Sequence, residues 1–302
     1  MTRHIPVLLS EVIESLQLKP GYNVIDCTLG DGGHSEAILE KIGPNGKLLG
    51  IDADPESVLR AKQYLYRFGE RANFARDNFE NIKQITADNN FHPVNGILLD
   101  LGWSTPQFKE RGRGFSFDGD EPLDMRFGGM NQKGMTAAEI INDYSLNDLK
   151  RIFRQYGEEK LAEPIAKEIV ERRKKEKIET TGQLTETILS VYRTILKSDK
   201  EIPWVGGLHP ATKIYQALRI ETNRELDVVR NVLPDAVEVL EKGGRLAVIT
   251  FHSLEDRIVK HFVQSKPSTL KMVNKKPIIA GEEELKNNPS ARSAKLRIIE
   301  KI

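Results

Sequence analysis

Cysteine is almost missing from these 302 residues. Cys27 stands alone, which excludes an intrachain disulfide framework and any zinc site built from paired cysteines, and suits a reducing compartment. Long apolar runs are missing as well. The N-terminal stretch MTRHIPVLLSEVIES holds only a three-residue apolar run, Val7–Leu9, far short of a secretory signal core, and no segment approaches the roughly 18 apolar residues of a membrane span. Neither charge sign dominates: 45 Lys and Arg face 44 Asp and Glu, a net +1, so any basic surface must be local. There is no H-E-x-x-H or close histidine cluster to signal a metal, and no G-x-S-x-G hydrolase turn. Internal repeats and low-complexity segments are absent too. The expectation that remains is a cytoplasmic enzyme or binding protein without a metal.

Short β-rich runs alternate with helical patterns in the first hundred residues. The runs are 22–27, 47–51, a weak one at 72–76, and 94–100. Asp54-Pro55 supplies an N-cap and a first-turn proline for a helix to about Arg67. Strand alternating with helix predicts an α/β fold, a parallel sheet with helices on both faces. The next strong strand is 244–251, so 143 residues intervene after Asp100. A crossover needs only about a dozen. The gap therefore reads as an inserted second domain, loop-like over 101–135 and helical by period beyond. Its last helix begins near Ala211 and runs on toward the sheet until Pro234 breaks or kinks it. Ser253-Leu-Glu-Asp256 has the spacing of a helix start capped by Ser253 with help from Asp256. AKLRIIEKI at the end alternates like a final strand.

The chemistry gathers at two strand ends. Asp26-Cys-Thr-Leu-Gly30-Asp-Gly32-Gly33 joins a strand to a helix, where α/β folds bind nucleotide-like cofactors. Twenty residues after Gly32, Asp52 ends the second strand, placed to accept hydrogen bonds from a ribose diol. Asp26 and Asp31 set two negative charges beside the loop, which would repel a pyrophosphate. A cofactor bearing a sulfonium and an ammonium suits the loop better, so S-adenosylmethionine fits better than NAD. Asp100 ends the fourth strand. Asp100-Leu-Gly-Trp103 keeps the polar and aromatic ends of the [DNS]-P-P-[YFW] pattern of amino-methylating enzymes, without its prolines. Two readings of it stay open: Asp100 takes the amino group while Trp103 stacks on the base, or Asp100 binds cofactor and Trp103 packs.

Several blocks match a known family: H-I-P-V-L-L at 4–9, G-D-G-G-H-S at 30–35, I-L-L-D-L-G at 97–102 and R-G-F-S-F at 113–117. P-L-D-M-R at 122–126, Y-G-E-E at 156–159, H-P-A-T at 209–212, F-H-S-L-E-D-R-I-V-K at 251–260 and N-P-x-A-R-S at 288–293 match too. The chain resembles the bacterial 16S ribosomal RNA (cytosine-N4) methyltransferases of the MraW/RsmH type. The resemblance implies a class I, Rossmann-like methyltransferase sheet over 1–108 and 212–302, with an inserted helical RNA-recognition domain over 109–211. It also implies methyl transfer from S-adenosyl-L-methionine to a decoding-region cytidine of the small ribosomal subunit. Carried over residue by residue, cofactor contacts fall on Gly32, Gly33, His34, Asp52, Phe79, Asp100 and Gln107, with Phe79 by the adenine. At Trp103 the family usually has a small aliphatic residue, which argues against an ancestral stacking platform.

Asp100 is the best catalytic candidate, and no side chain declares itself as a general base. Cys27 reads as a core thiol and His252-Ser253…Asp256 as a helix start rather than a triad. Residues 150–177 carry a local +4, with Arg172, Arg173, Lys174 and Lys175 consecutive, and residues 266–297 carry +5. Phosphate contact needs such surfaces, though a solvated helix face explains a single run equally well.

Overall fold

A computed structural model describes residues 5–102, 112–117, 119–128, 133–197 and 207–302. The chain divides into two compact units, one made of residues 1–104 and 226–302 and the other of 105–225.

The first unit is built on a seven-stranded sheet. Its strands are β1 (Asn23–Asp26), β2 (Lys47–Asp52), β3 (Ala72–Arg76), β4 (Val94–Asp100), β5 (Leu240–Thr250), β6 (Leu270–Met272) and β7 (Lys295–Lys301), in the order β3-β2-β1-β4-β5-β7-β6. The first five are mutually parallel; β7 runs antiparallel to β5 and to β6. This is the α/β sheet that the alternation of strand and helix predicts, parallel except at β7. From β1 the chain steps outward through β2 and β3, then returns to β4 on the other side. The order thus reverses between β1 and β4, and a ligand crevice opens outside the carboxyl ends of strands at such a switch point.

Strand period puts alternate residues on opposite faces. Val24, Leu48, Leu98 and Ala247 pack on one side with Val12, Ile38, Leu39 and Ala61 from helices α1 (Leu9–Ser15), α2 (Gly33–Lys41) and α3 (Pro55–Tyr64). Ile25, Leu49, Ile97 and Val248 pack on the other with Ile82 and Ile85 from α4 (Ile82–Asp88). Each fully buried aliphatic of this kind contributes about 1.5–3 kcal/mol. Asp54 caps α3 as expected, accepting from Glu56 N at 3.3 Å and Ser57 N at 3.2 Å.

The second unit is helical. It holds α5 (Ala137–Asp143), α6 (Leu146–Gln155), α7 (Ala162–Arg172), α8 (Thr181–Leu196) and α9 (Thr212–Asn223). Thr136 with Glu139 and Thr180 with Gln183 form reciprocal capping boxes, and Ser145 caps α6. Helix α6 packs on α7 and α9, and α7 on α8, burying Leu149, Ile152, Phe153, Ile165, Ile169 and Leu218. Three sequence blocks meet here: Phe117 stacks on His209 at 4.4 Å and edges Tyr215 at 5.5 Å, while Met125 N donates to Arg113 O at 2.9 Å.

Two boundaries differ from the sequence reading. Helix α9 belongs with the helical unit rather than the sheet, because Tyr215 donates to Thr181 O at 2.9 Å and Asn223 to Met125 O at 2.8 Å. The helix that follows, α10 (Glu225–Val239), runs unbroken through Pro234. The break lies at Arg224, whose φ of 52° is left-handed. There Asn223 also donates to Arg219 O at 2.9 Å, so its side chain competes with the helix backbone.

Candidate functional site

Strand β1 ends at Asp26, and the chain turns through Thr28–Gly33 into α2. Gly30 (φ +51°) and Gly32 (φ +82°) take left-handed backbone that other residues resist. Gly33 is required for a different reason: a Cβ there would collide with the Pro6 ring. Leu29 N donates to Ile51 O at 3.0 Å, tying the loop to β2. Asp26 is buried, and it accepts from Ser35 Oγ at 2.6 Å and Thr28 N at 3.1 Å. Burial pushes its carboxyl above the ordinary range, against the opposing charge of His34 and these donors. Asp31 accepts from Arg60 Nε at 2.7 Å. Asp26 and Asp31 are therefore not the two bare charges that the sequence leads one to expect beside the loop. Asp26 braces the loop from inside and Arg60 offsets Asp31, so neither stands as a bare anion toward a ligand.

Asp52 ends β2 and is better placed than its spacing alone implied. One carboxylate oxygen accepts from Gly30 N at 2.9 Å, the other from Asp54 N at 2.8 Å. A carboxylate takes about four hydrogen bonds, so each oxygen keeps acceptor capacity for one hydroxyl of a diol. Burial pushes its carboxyl up to about 6, against the pull of the two backbone N–H groups. Asp77 N donates to Asp52 O at 3.2 Å, and this joins the exits of β2 and β3. Two residues later Phe79 opens a short helical turn, half-buried against the face that holds Ile25 and Leu49. A glycine loop, a diol acceptor and an aromatic beyond the next strand fit an adenosine-bearing cofactor.

At the end of β4, Asp100 N donates to Thr28 Oγ1 at 2.8 Å, and its Oδ1 accepts from Gly102 N at 2.9 Å. Asp100 Oδ2 lies 3.9 Å from His34 Nδ1. His34 Nε2 sits 3.0 Å from Val7 O; a carbonyl cannot donate, so Nε2 carries the hydrogen. Sequence reasoning missed Thr28, which couples the β1 loop to Asp100. It also missed that Pro6 and Val7, within the first block, seat Gly33 and His34.

The other sequence-marked residues divide. Gln107 and Trp103 lie outside the described residues, as does His4. Cys27 is buried, as a core thiol should be, and burial pushes its thiol well up. The cap of α11 (Ser253–Gln264) is His252 rather than Ser253: Glu255 N donates to His252 Nδ1 at 3.4 Å, and the Glu255 carboxylate accepts from Phe251 N at 2.8 Å. Asp256 is drawn instead to Arg297, with Nε 2.5 Å away. In the run 172–175, Arg173 turns inward, donating to Ile141 O at 2.5 Å and Tyr144 O at 2.6 Å. Arg172 donates to Thr187 Oγ1 at 2.8 Å, and Lys174 pairs with Glu171 at 2.6 Å.

A profile of the MraW methylase family matches residues 1–302. The Ribosomal RNA small subunit methyltransferase H of Clostridioides difficile (strain 630) is 40% identical over 316 residues, covering 99% of each chain. The protein of that name from Coxiella burnetii (strain RSA 493 / Nine Mile phase I) is 42% identical over 322 residues, covering 100% of each. That from Fusobacterium nucleatum subsp. nucleatum is 43% identical, over 99% of this chain and 97% of its own. Among solved structures, a putative rRNA-methylase from Clostridium thermocellum gives a TM-score of 0.48 at 12% identity, covering 99% of this chain and 100% of that one. On the full-length profile match and these identities, the chain belongs to the MraW methylase family.

Proposed function

We propose that this chain transfers a methyl group from S-adenosylmethionine to the exocyclic N4 of a cytidine in the decoding region of 16S ribosomal RNA. One observation carries the reading. Asp52 and Asp100 stand at the carboxyl ends of strands on either side of the switch point, with the Gly30–Gly33 loop between them, in a member of a methylase family. Gly32, Gly33, His34, Asp52, Phe79 and Asp100 are the residues that would hold the cofactor, together with Gln107. When bound, the cofactor supplies a methyl group on sulfonium, an excellent leaving group. A cytosine amine is a poor nucleophile because its lone pair is delocalised into the ring. The chain's task is therefore to hold that amine in line and dry, and orientation of this kind contributes roughly 7–11 kcal/mol. Asp100 is fixed by Gly102 N and by its own N–H on Thr28. Its carboxylate accepts a hydrogen bond from the amine and helps the nitrogen lose conjugation.

Residues 105–225 serve as the RNA-recognition unit in this reading, and the partner is the small ribosomal subunit in the cytoplasm. No helix of the described residues is long and apolar enough to cross a membrane. The test is incubation with a labelled methyl donor and either naked 16S RNA or assembled small subunits, followed by nucleoside analysis. N4-methylcytidine is the expected product. Label in protein, in another nucleoside or nowhere would sink the proposal.

A further inference from the structure

Two of the sequence blocks, 251–260 and 288–293, have no part in the cofactor crevice, yet they meet. Strands β5 and β7 pair antiparallel with Thr250 opposite Lys295, so the exit of β5 and the entry of β7 lie side by side. That is the same rim of the sheet as Asp52 and Asp100. A cavity of about 350 Å³ opens there. Its apolar wall includes Ile279, Ala280 and Leu285, and Phe251 is its aromatic; Arg292 and Lys295 supply the charge. Phe251 is also close to the proposed chemistry. A Cβ on Gly102 would lie 2.7 Å from the Phe251 ring and 2.9 Å from Asp100 Oδ1, so only one glycine separates ring from carboxylate.

The charges decide what the cavity fits. Arg297, in the same stretch, is committed to Asp256. Arg292 and Lys295 have no acidic partner among the described residues, and Arg292 is exposed. Apolar walls, one aromatic and two uncommitted cations at the mouth match a base with its phosphate, since unpaired bases are recognised by stacking and the backbone by cations. The volume lies at the small end of ligand pockets and suits one nucleotide, not a duplex. We infer that this cavity holds the base of an unpaired ribonucleotide next to the one being methylated, with Arg292 and Lys295 on its phosphate. The inference rests on the RNA-methylation reading above.

The test measures binding of a fluorescent single-stranded oligoribonucleotide of the decoding-region sequence at several salt concentrations, with S-adenosylhomocysteine affinity as the control. Arg292→Gln with Lys295→Gln should flatten the salt slope by about 0.7, since the one phosphate they share is left without its cations and each phosphate neutralised on a single strand contributes that much. Phe251→Leu keeps most of the packing against Gly102 and should weaken binding about tenfold with the slope unchanged. That tenfold loss should vanish on an oligomer abasic at the nucleotide beside the target. Wild-type binding and slope in both variants would overturn the inference. So would a Phe251→Leu loss that persists on the abasic strand, because the ring would then act only through Gly102 and Asp100. A wild-type protein that binds the oligomer in this way but methylates neither RNA nor subunits would refute the activity and leave the cavity assignment standing.

Discussion

Replacing Asp52 with alanine separates its two duties. The carboxylate holds Gly30 N at 2.9 Å and Asp54 N at 2.8 Å, and in the proposed cofactor complex it would also accept the diol. Loss of those accepted bonds should weaken S-adenosylhomocysteine binding by roughly 1.5–3 kcal/mol, or about 10- to 150-fold in Kd. The wild type should carry a pH signature that the variant lacks. Its carboxyl is raised from 3.8 to about 6, and a diol donates to the ionised form. Wild-type affinity should hold above pH 6 and fall by up to about tenfold per unit below it. The stability sign is opposite. A carboxyl raised on folding favours the folded state below its unfolded value of 3.8 and loses that contribution as pH rises through about 6. Alanine removes this cost but orphans two backbone donors, so net stability at neutral pH should move by no more than about 1–2 kcal/mol. Calorimetric titration at pH 7.5 and pH 5 with urea melts reads all three. Unchanged affinity in a folded variant, or a flat wild-type profile across pH 6, would remove Asp52 from the site.

Asp100→Asn should lower single-turnover methylation of small subunits by about a hundredfold while subunit binding stays as it was; equal turnover would show that the carboxylate merely shapes the strand end. Arg173→Gln should destabilise the protein by about 2 kcal/mol in urea, because two inward carbonyls lose a charged donor, whereas Lys175→Gln should stay within about 0.5 kcal/mol. Replacing Arg172, Lys174 and Lys175 with Gln, leaving Arg173 in place, should flatten the salt slope of subunit binding by roughly 0.7–0.9 for each phosphate left without its cation, and an unchanged slope would make this run a solvated face. Trp103→Val should keep methylation within about tenfold of wild type, and a drop beyond about a hundredfold with intact cofactor affinity would show that the indole stacks on the base.

The sheet was legible because its signals are local. Strands 22–27, 47–51 and 94–100 are apolar runs bounded by turns, and the observed β1, β2 and β4 differ from them at the edges only. The 143-residue gap announced an insertion by its size. Its far edge was misplaced because helical period runs straight across residue 224. What stops the helix there is Asn223 reaching Met125 O, a partner far away in sequence. Pro234 misled in the other direction. A proline removes one N–H, and α10 carries that loss while Val232, Leu233 and Ala236 are buried along it.

For the site, spacing located the strand-end acids but not what surrounds them. Asp31 looks like an exposed anion until Arg60, 29 residues later, is seen to offset it. The basic runs illustrate the same gap between composition and use. Residues 172–175 are the densest cationic stretch in the sequence, yet Arg173 is spent on helix carbonyls and Lys174 on Glu171. Arg292 and Lys295 sit in a sparser stretch, have no acidic partner among the described residues, and lie beside an aromatic and a cavity. A phosphate responds to uncommitted charge within reach, not to charge per residue. A count along the chain cannot separate the two, because what neutralises a cation is set by the fold: Arg297 meets Asp256 only because β7 lies beside β5 and α11 follows β5 directly.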